Sequence, residues 1–416
     1  MSVLPQRAAV GVFLACAFAY FLSALLRAVT ATLAPTLAQE FALHTADLGL
    51  LSGGYFLGFA LMQLPLGHWL DRHGPRQVSL GFLGVAVLGC VLFAVATGFS
   101  ALLAGRVLCG VGVSACLMAP LTGFRRWLTP AAQLRANAWM MMTGSLGMVA
   151  STLPVQWLVP LVGWRPLFWG LAALIALSML WLAWGVPAWQ HEGAAQALPG
   201  SAPASRGGYG AVWRHPYFQR LAPLGFFVYG GMVAMQTLWA GPWMQQVAGY
   251  SALASATGLF WINVSMLCAF WVWGMVSHRL QRWGLDTHRL MVWGLPASLL
   301  AMGALIALGE RAGAGMWALY CVSSTFVALS LPALAHAFPA GQAGRALSAY
   351  NLVIFLGVFV VQWGIGLAVD GLVALGWTPV AAFRWAMGGY WLCSGGAYAW
   401  FRLRGHGHNC GHTAPP

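Results

Sequence analysis

Arg27 stands in a run from Ala8 to Gln39 that is otherwise uncharged, and Arg106 stands seven residues into another apolar run that begins near residue 99. On insertion scales a guanidinium at bilayer depth costs ~2.5–3.5 kcal/mol, so each residue needs a wet cavity or a partner. The planar fork of donors suits a carboxylate or a phosphate. Around Arg27 the order Tyr20, Ser23, Arg27, Thr30 has the spacing i, i+3, i+7, i+10, which places one polar stripe on one helix face. Tyr229, Met232, Gln236 and Trp239 repeat the spacing later in the chain, with Trp243 continuing it. Tyr20 to Tyr229 and Arg27 to Gln236 share an offset of 209 residues. The two faces are expected to confront one another.

No acidic residue stands deep in an apolar run to neutralise these arginines, because Glu40, Asp47, Glu310 and Asp370 all fall at run ends. The enclosed space is therefore expected to be electropositive, with Arg27 as leading ligand for an anionic group and Arg106 behind it. The alternative for Arg27 is a bond to backbone carbonyls or to an end carboxylate. Asn351, Phe355, Val358 and Gln362 share a face further on, with Asn263, Tyr55 and Gln63 on other runs. Amides can read a ligand, but they also bridge packed helices for about 0.6 kcal/mol each. Gly110, Gly112, Gly144 and Gly147 are expected to let helices approach closely. No deep Ser-His-Asp set, Gly-Lys-Ser/Thr phosphate loop or metal-spaced His-Glu cluster is present, so binding without catalysis and without a cofactor is expected.

The elements that must position these residues follow from composition. The chain is 416 residues long, 60% hydrophobic and 6% charged, with a mean hydropathy of +0.75, against roughly 25% charged in an average soluble domain. Runs long enough to cross ~30 Å of hydrocarbon at ~1.5 Å per residue number twelve. They fall near 10–32, 47–69, 77–97, 99–123, 137–160, 167–187, 218–245, 252–277, 290–309, 314–337, 346–369 and 380–402. The first is too long for a cleaved signal and reads as a retained helix. An all-α membrane protein with twelve transmembrane helices is expected.

The net charge of +13 would suggest nucleic acid in a soluble protein. Here fifteen of the twenty arginines lie at the termini or in even-numbered loops. By the positive-inside rule both ends are then cytoplasmic, no nucleic acid is expected, and the bilayer is the partner. Seven of the eight cysteines fall in spans and read as packing residues. Trp69, Trp127, Trp164, Trp189 and Trp377 sit near span ends, as interfacial belts require.

Landmarks recur between the halves. Pro130-Ala131-Ala132-Gln133 ahead of Arg135 returns as Pro339-Ala340-Gly341-Gln342 ahead of Arg345, and Gly163-Trp164-Arg165-Pro166 returns as Gly376-Trp377-Thr378-Pro379. An internal duplication with six spans per half gives two bundles related by an axis along the membrane normal. The expected organisation is a bundle at 1–189, a flexible linker at 190–215, a bundle at 216–404 and a tail at 405–416.

The loop after the second span reads Gly67-His68-Trp69-Leu70-Asp71-Arg72-His73-Gly74-Pro75-Arg76. It resembles the loop signature of the major facilitator superfamily, and Arg106-Val107-Leu108-Cys109-Gly110-Val111-Gly112 is similar to that family's Arg-x-x-x-Gly-x-Gly element. The resemblance covers nearly the whole chain, with Pro75 at one usually basic position and His278 where a second-half copy of Asp71 would align. It implies a secondary transporter in the inner membrane, working as a monomer by alternating access on a small-molecule substrate, with a co-transported proton left open. It also implies a conformational latch at Gly67, Asp71, Arg72, Gly74 and Arg76. Arg106, in that family, serves structure or proton coupling as well as substrate.

The substrate expected from the arginines is a small organic anion, held by Arg27, Tyr20, Arg106, Tyr229, Gln236, Trp239, Asn351 and Gln362. Efflux of lipophilic compounds is the alternative, although Gly144-Ser145-Leu146-Gly147 only partly resembles the antiporter signature of that family's fifth span. Soft-metal transport is a third. It would rest on His406, His408, Cys410 and His412 in the tail and on Met140, Met141, Met142, Met232, Met235 and Met244. A metal site in the spans themselves is not expected.

Overall fold

The computed structural model describes residues 4–188, 209–282 and 285–404. Trp189, the tail ligands and residues 190–208 of the linker lie outside the described residues, as does the side chain of His278. In the first half the chain forms α1 (Gln6–Phe41), α2 (Thr45–Leu61), α3 (Gln63–Ala94), α4 (Phe99–Val113), α5 (Ala115–Trp127), α6 (Pro130–Ala150), α7 (Leu153–Val162) and α8 (Trp164–Gly185). The second half forms α9 (Tyr209–Arg214), α10 (Pro216–Pro223), α11 (Gly230–Ala234), α12 (Ala240–Gln246), α13 (Ala252–Arg282), α14 (Thr287–Leu308), α15 (Ala314–Ser324), α16 (Ser330–Ala337), α17 (Ala340–Ala374) and α18 (Pro379–Leu403). The end of the expected flexible linker is thus the short helix α9.

Nine helices among the described residues are long and apolar enough to cross a membrane, and the α6–α7 pair, bent by 44°, makes a tenth. Two more complete the twelve. Gly74, at φ 75° and ψ 167°, breaks α3 in a conformation open only to glycine, so the second span is α2 continued into the first part of α3. The last is α18, whose Arg384 and Arg402 dilute its apolar character. The duplication is visible in the backbone: both motif glycines, Gly163 and Gly376, take positive φ, at 84° and 89°.

The seventh span is not a regular helix. Two π-helical turns, Leu224–Tyr229 and Met235–Trp239, interrupt it and carry Tyr229, Gln236 and Trp239. Such wide turns rotate side chains off the α-helical register and are frequent at functional positions.

The halves meet where α2 packs along α17, α1 against the second π turn and α12, and α6 and α7 against α13. Glycine makes the first contact possible, since a Cβ at Gly49 would overlap the carbonyl of Gln362 and one at Gly366 would press on the backbone of Ala46. Asp370, near the end of α17, accepts hydrogen bonds from the backbone N–H groups of Thr45 (3.1 Å) and Ala46 (2.7 Å). The end of the molecule bearing these contacts is the arginine-poor one. Of the tryptophans placed at interfaces, Trp69 and Trp377 are exposed. Trp127 and Trp164 are instead buried, Trp164 because its indole donates to Glu40 (2.6 Å), which also pairs with Arg165 (2.5 Å).

Candidate functional site

From Leu22 to Ala34 every residue of α1 is buried except Arg27, which is half-buried. That break in the pattern marks Arg27 as the one residue of this stretch that is not sealed in the core. Its guanidinium lies 5.7 Å from the ring centre of Phe59, it interacts with the side chains of Tyr20 and Tyr55, and its Nε–H is buried without an acceptor.

Arg106 comes to the same place from α4. It is fully buried, and one Nη donates to the carbonyl of Leu26 (2.9 Å), one residue before Arg27. Its Nε–H and second Nη group have no acceptor. The guanidinium sits 5.0 Å over the ring of Tyr55, whose hydroxyl donates to the carbonyl of Ser23 (3.2 Å). Tyr55 is therefore the piece between the two cations. It can stand there because Gly110 on α4 leaves room for the Tyr55 backbone, which a Cβ would overlap. The sequence carried a signal for this hub in the i, i+4 pair Tyr55 and Phe59, but the pair reads equally as core. Phe59 in turn packs at 4.4 Å on Phe355 of α17, closing the site from the second half.

Not every expected ligand joins this cluster. Tyr229 does, half-buried and within reach of Tyr20 and Arg27. Gln236 is half-buried on the π turn that touches α1, and its amide donates to Asn263 (2.9 Å). Asn351 is half-buried on α17, four residues before Phe355. Gln362 is fully buried at the α2–α17 crossing, where its amide donates to Thr237 (3.0 Å), and Trp239 is fully buried edge-on to Phe383. The Oε1 of Gln362 and the indole N–H of Trp239 are both buried without a partner.

The loop at the arginine-rich end carries the residues of the implied latch. Gly67 is exposed and a Cβ there would meet nothing within 4 Å, so it serves no close approach in this structure. Gly74 is the glycine that the backbone needs. Asp71 is exposed and makes no ion pair among the described residues, Arg72 has a partner, and Arg76 is half-buried. The close approaches expected at Gly110, Gly112, Gly144 and Gly147 are all present.

Among the described residues no carboxylate is fully buried, and no three His, Cys, Asp or Glu side chains are grouped to hold a metal ion. Met140, Met232, Met235 and Met244 are core residues. The site is thus two guanidiniums, three tyrosines and two phenylalanines, with three cationic N–H positions lacking an acceptor.

Residues 16–362 match the family described as Major Facilitator Superfamily. A nitrate/nitrite transporter, NrtP, of Picosynechococcus is 32% identical over 113 residues, 27% of this chain and 21% of that protein. A gallate transporter of Pseudomonas putida is 30% identical over 181 residues, 42% of this chain and 39% of that protein. The matched segment is thus less than half the length of either relative. A bacterial homologue of the human lysosomal transporter Spinster, solved inward-facing and unoccupied, superposes with a TM-score of 0.77 at 18% identity, covering 97% of this chain and 98% of that one.

Proposed function

The chain belongs to the Major Facilitator Superfamily, and from that premise we propose that it is a secondary transporter that carries a small organic anion by alternating access. The observation that carries the anion reading is the set of three acceptor-less N–H positions on Arg27 and Arg106, buried beside one another across Tyr55. A buried donor without an acceptor costs about 1–3 kcal/mol, more when charged. A carboxylate entering the site supplies the missing acceptors and cancels buried positive charge. The names of the nitrate/nitrite and gallate transporters point to anionic solutes as well.

The mechanism follows from the parts. Arg27 reaches the space directly and grips the anion. Arg106, anchored on Leu26 and stacked on Tyr55, sets the local charge and presents its remaining donors. Tyr20 and Tyr229 bring hydroxyls from the two halves, and Phe59 and Phe355 cover an apolar or aromatic body. Neutralising the guanidiniums lowers the cost of closing the site around the solute, after which the halves, at 1–189 and 216–404, rock and open the other side. The arginine-rich end is the cytoplasmic one by the positive-inside rule, with both termini there and the plasma membrane as the site of action.

The test is a thermal-stability screen of purified protein against organic anions, lipophilic compounds, and copper and zinc salts. A ligand at a hundred times its dissociation constant adds ~2.7 kcal/mol to the folded state. Stabilisation by carboxylates that is lost in Arg27→Gln supports the proposal. Stabilisation by lipophilic neutral compounds alone, or by metal and dependent on residues 405–416, overturns it.

A further inference from the structure

We propose that Asp370 is the latch that holds the arginine-poor end shut, and that its release is a step of every transport cycle. The inference rests on the alternating-access reading but not on which solute is carried. Thr45 and Ala46 open α2, and the first N–H groups of a helix have no partner within it. One carboxylate of α17, in the other half, takes both of them, at 3.1 and 2.7 Å. The negative charge also meets the positive end of the helix dipole, a charge-assisted contact in a partly buried place.

The start of α2 has no substitute for Asp370. Asp47, the nearer carboxylate, is turned back onto the N–H of His44 (3.0 Å) in a capping box, so it is not free to take the two donors that Asp370 holds. Immediately beyond them, Gly49, Gly53 and Gly366 bring the two backbones together, so that the Asp370 carboxylate and the two N–H groups form the clasp at the end of a close helix crossing. At the opposite end Asp71 is exposed and makes no ion pair among the described residues. One end is clasped by a carboxylate, while the loop carboxylate of the other makes no ion pair among the described residues. Opening the arginine-poor end requires the two donors to leave Asp370 and return to water, which a two-state rocking movement accomplishes in one step.

The experiment measures distances between paired spin labels in the full-length protein, with Cys268, Cys393 and Cys410 replaced by serine. One pair, Leu161→Cys with Leu375→Cys, reports the arginine-poor end, and a second, Leu134→Cys with Leu403→Cys, reports the arginine-rich end. All four positions are exposed. Asp370→Asn removes the charge. Thr45→Pro removes one donor while leaving Asp370 intact, because proline is accepted at the first helical position and His44 already has the extended backbone that must precede it. The expected result is a rise in the separated population at the arginine-poor pair, on the order of threefold to tenfold for Asp370→Asn. Thr45→Pro should give a smaller rise of the same sign, and the arginine-rich pair should close in step. Unchanged distances at the arginine-poor pair in both variants overturn the latch. If the wild type interconverts at both pairs under those circumstances, alternating access stands and only the latch falls. If no variant shows a second population at either pair, both fall together. Should Asp370→Asn not fold, Thr45→Pro carries the test.

Discussion

Arg27 is the residue on which the functional account turns, and its position was legible because periodicity and charge say the same thing: one cation on the polar stripe of an apolar helix. The structure adds that it is the single half-buried residue between Leu22 and Ala34 and that its Nε–H has no acceptor. Arg27→Gln is expected to weaken apparent anion affinity at least tenfold, about 1.4 kcal/mol or more, while the unfolding temperature is kept, as ligand-dependent stability will show. Tyr55→Phe loses the bond to the Ser23 carbonyl but keeps the ring beneath Arg106. It should weaken binding less than Arg27→Gln, and titrations of the two variants side by side would reveal a reversed order. Tyr55 was not legible as the hub, since its place depends on how closely α2 and α4 approach, which is a property of Gly110 and not of the tyrosine. Gln362 and Trp239 share the expected faces and are fully buried, each with one polar atom lacking a partner, and spacing along one helix does not say which neighbour covers it.

At the scale of elements, glycine decides where helices end and how near they come. Gly74 ends the second span at φ 75°, a conformation that costs other residues about 1–3 kcal/mol. Gly74→Ala should therefore lower the unfolding midpoint in detergent, whereas Gly67→Ala, facing open space, should leave it unchanged. Equal loss from both would remove the distinction. The helices were readable from hydropathy in number and approximate bounds, and the glycine pairs of the repeat foretold the matching turns at Gly163 and Gly376. The π turns of the seventh span were not readable. They stand where that span packs on α1 and α17, between Pro223 and Pro242, and the apolar pattern alone does not mark a change of helix type.

For the whole molecule, the asymmetry of two carboxylates is the main finding: Asp370 clasps α2 at one end, while Asp71 at the other is exposed and makes no ion pair among the described residues. Sequence motifs pointed to Asp71 and gave no reason to notice Asp370, whose partners are backbone groups 325 and 324 residues away. Since Asp71 is expected to act only when its end closes, Asp71→Asn should slow turnover several-fold and leave ligand-induced stabilisation unchanged. Loss of binding would show that the loop belongs to the site and not to the movement. The central claim is that Arg27 and Arg106 together hold an organic anion that the protein carries across the membrane. Its most direct test is uptake of a stabilising carboxylate into proteoliposomes by the wild type and by Arg27→Gln at matched folding. The account predicts saturable uptake by the wild type and little or none by the variant at the same concentration. Uptake by Arg27→Gln with unchanged half-saturation would contradict it.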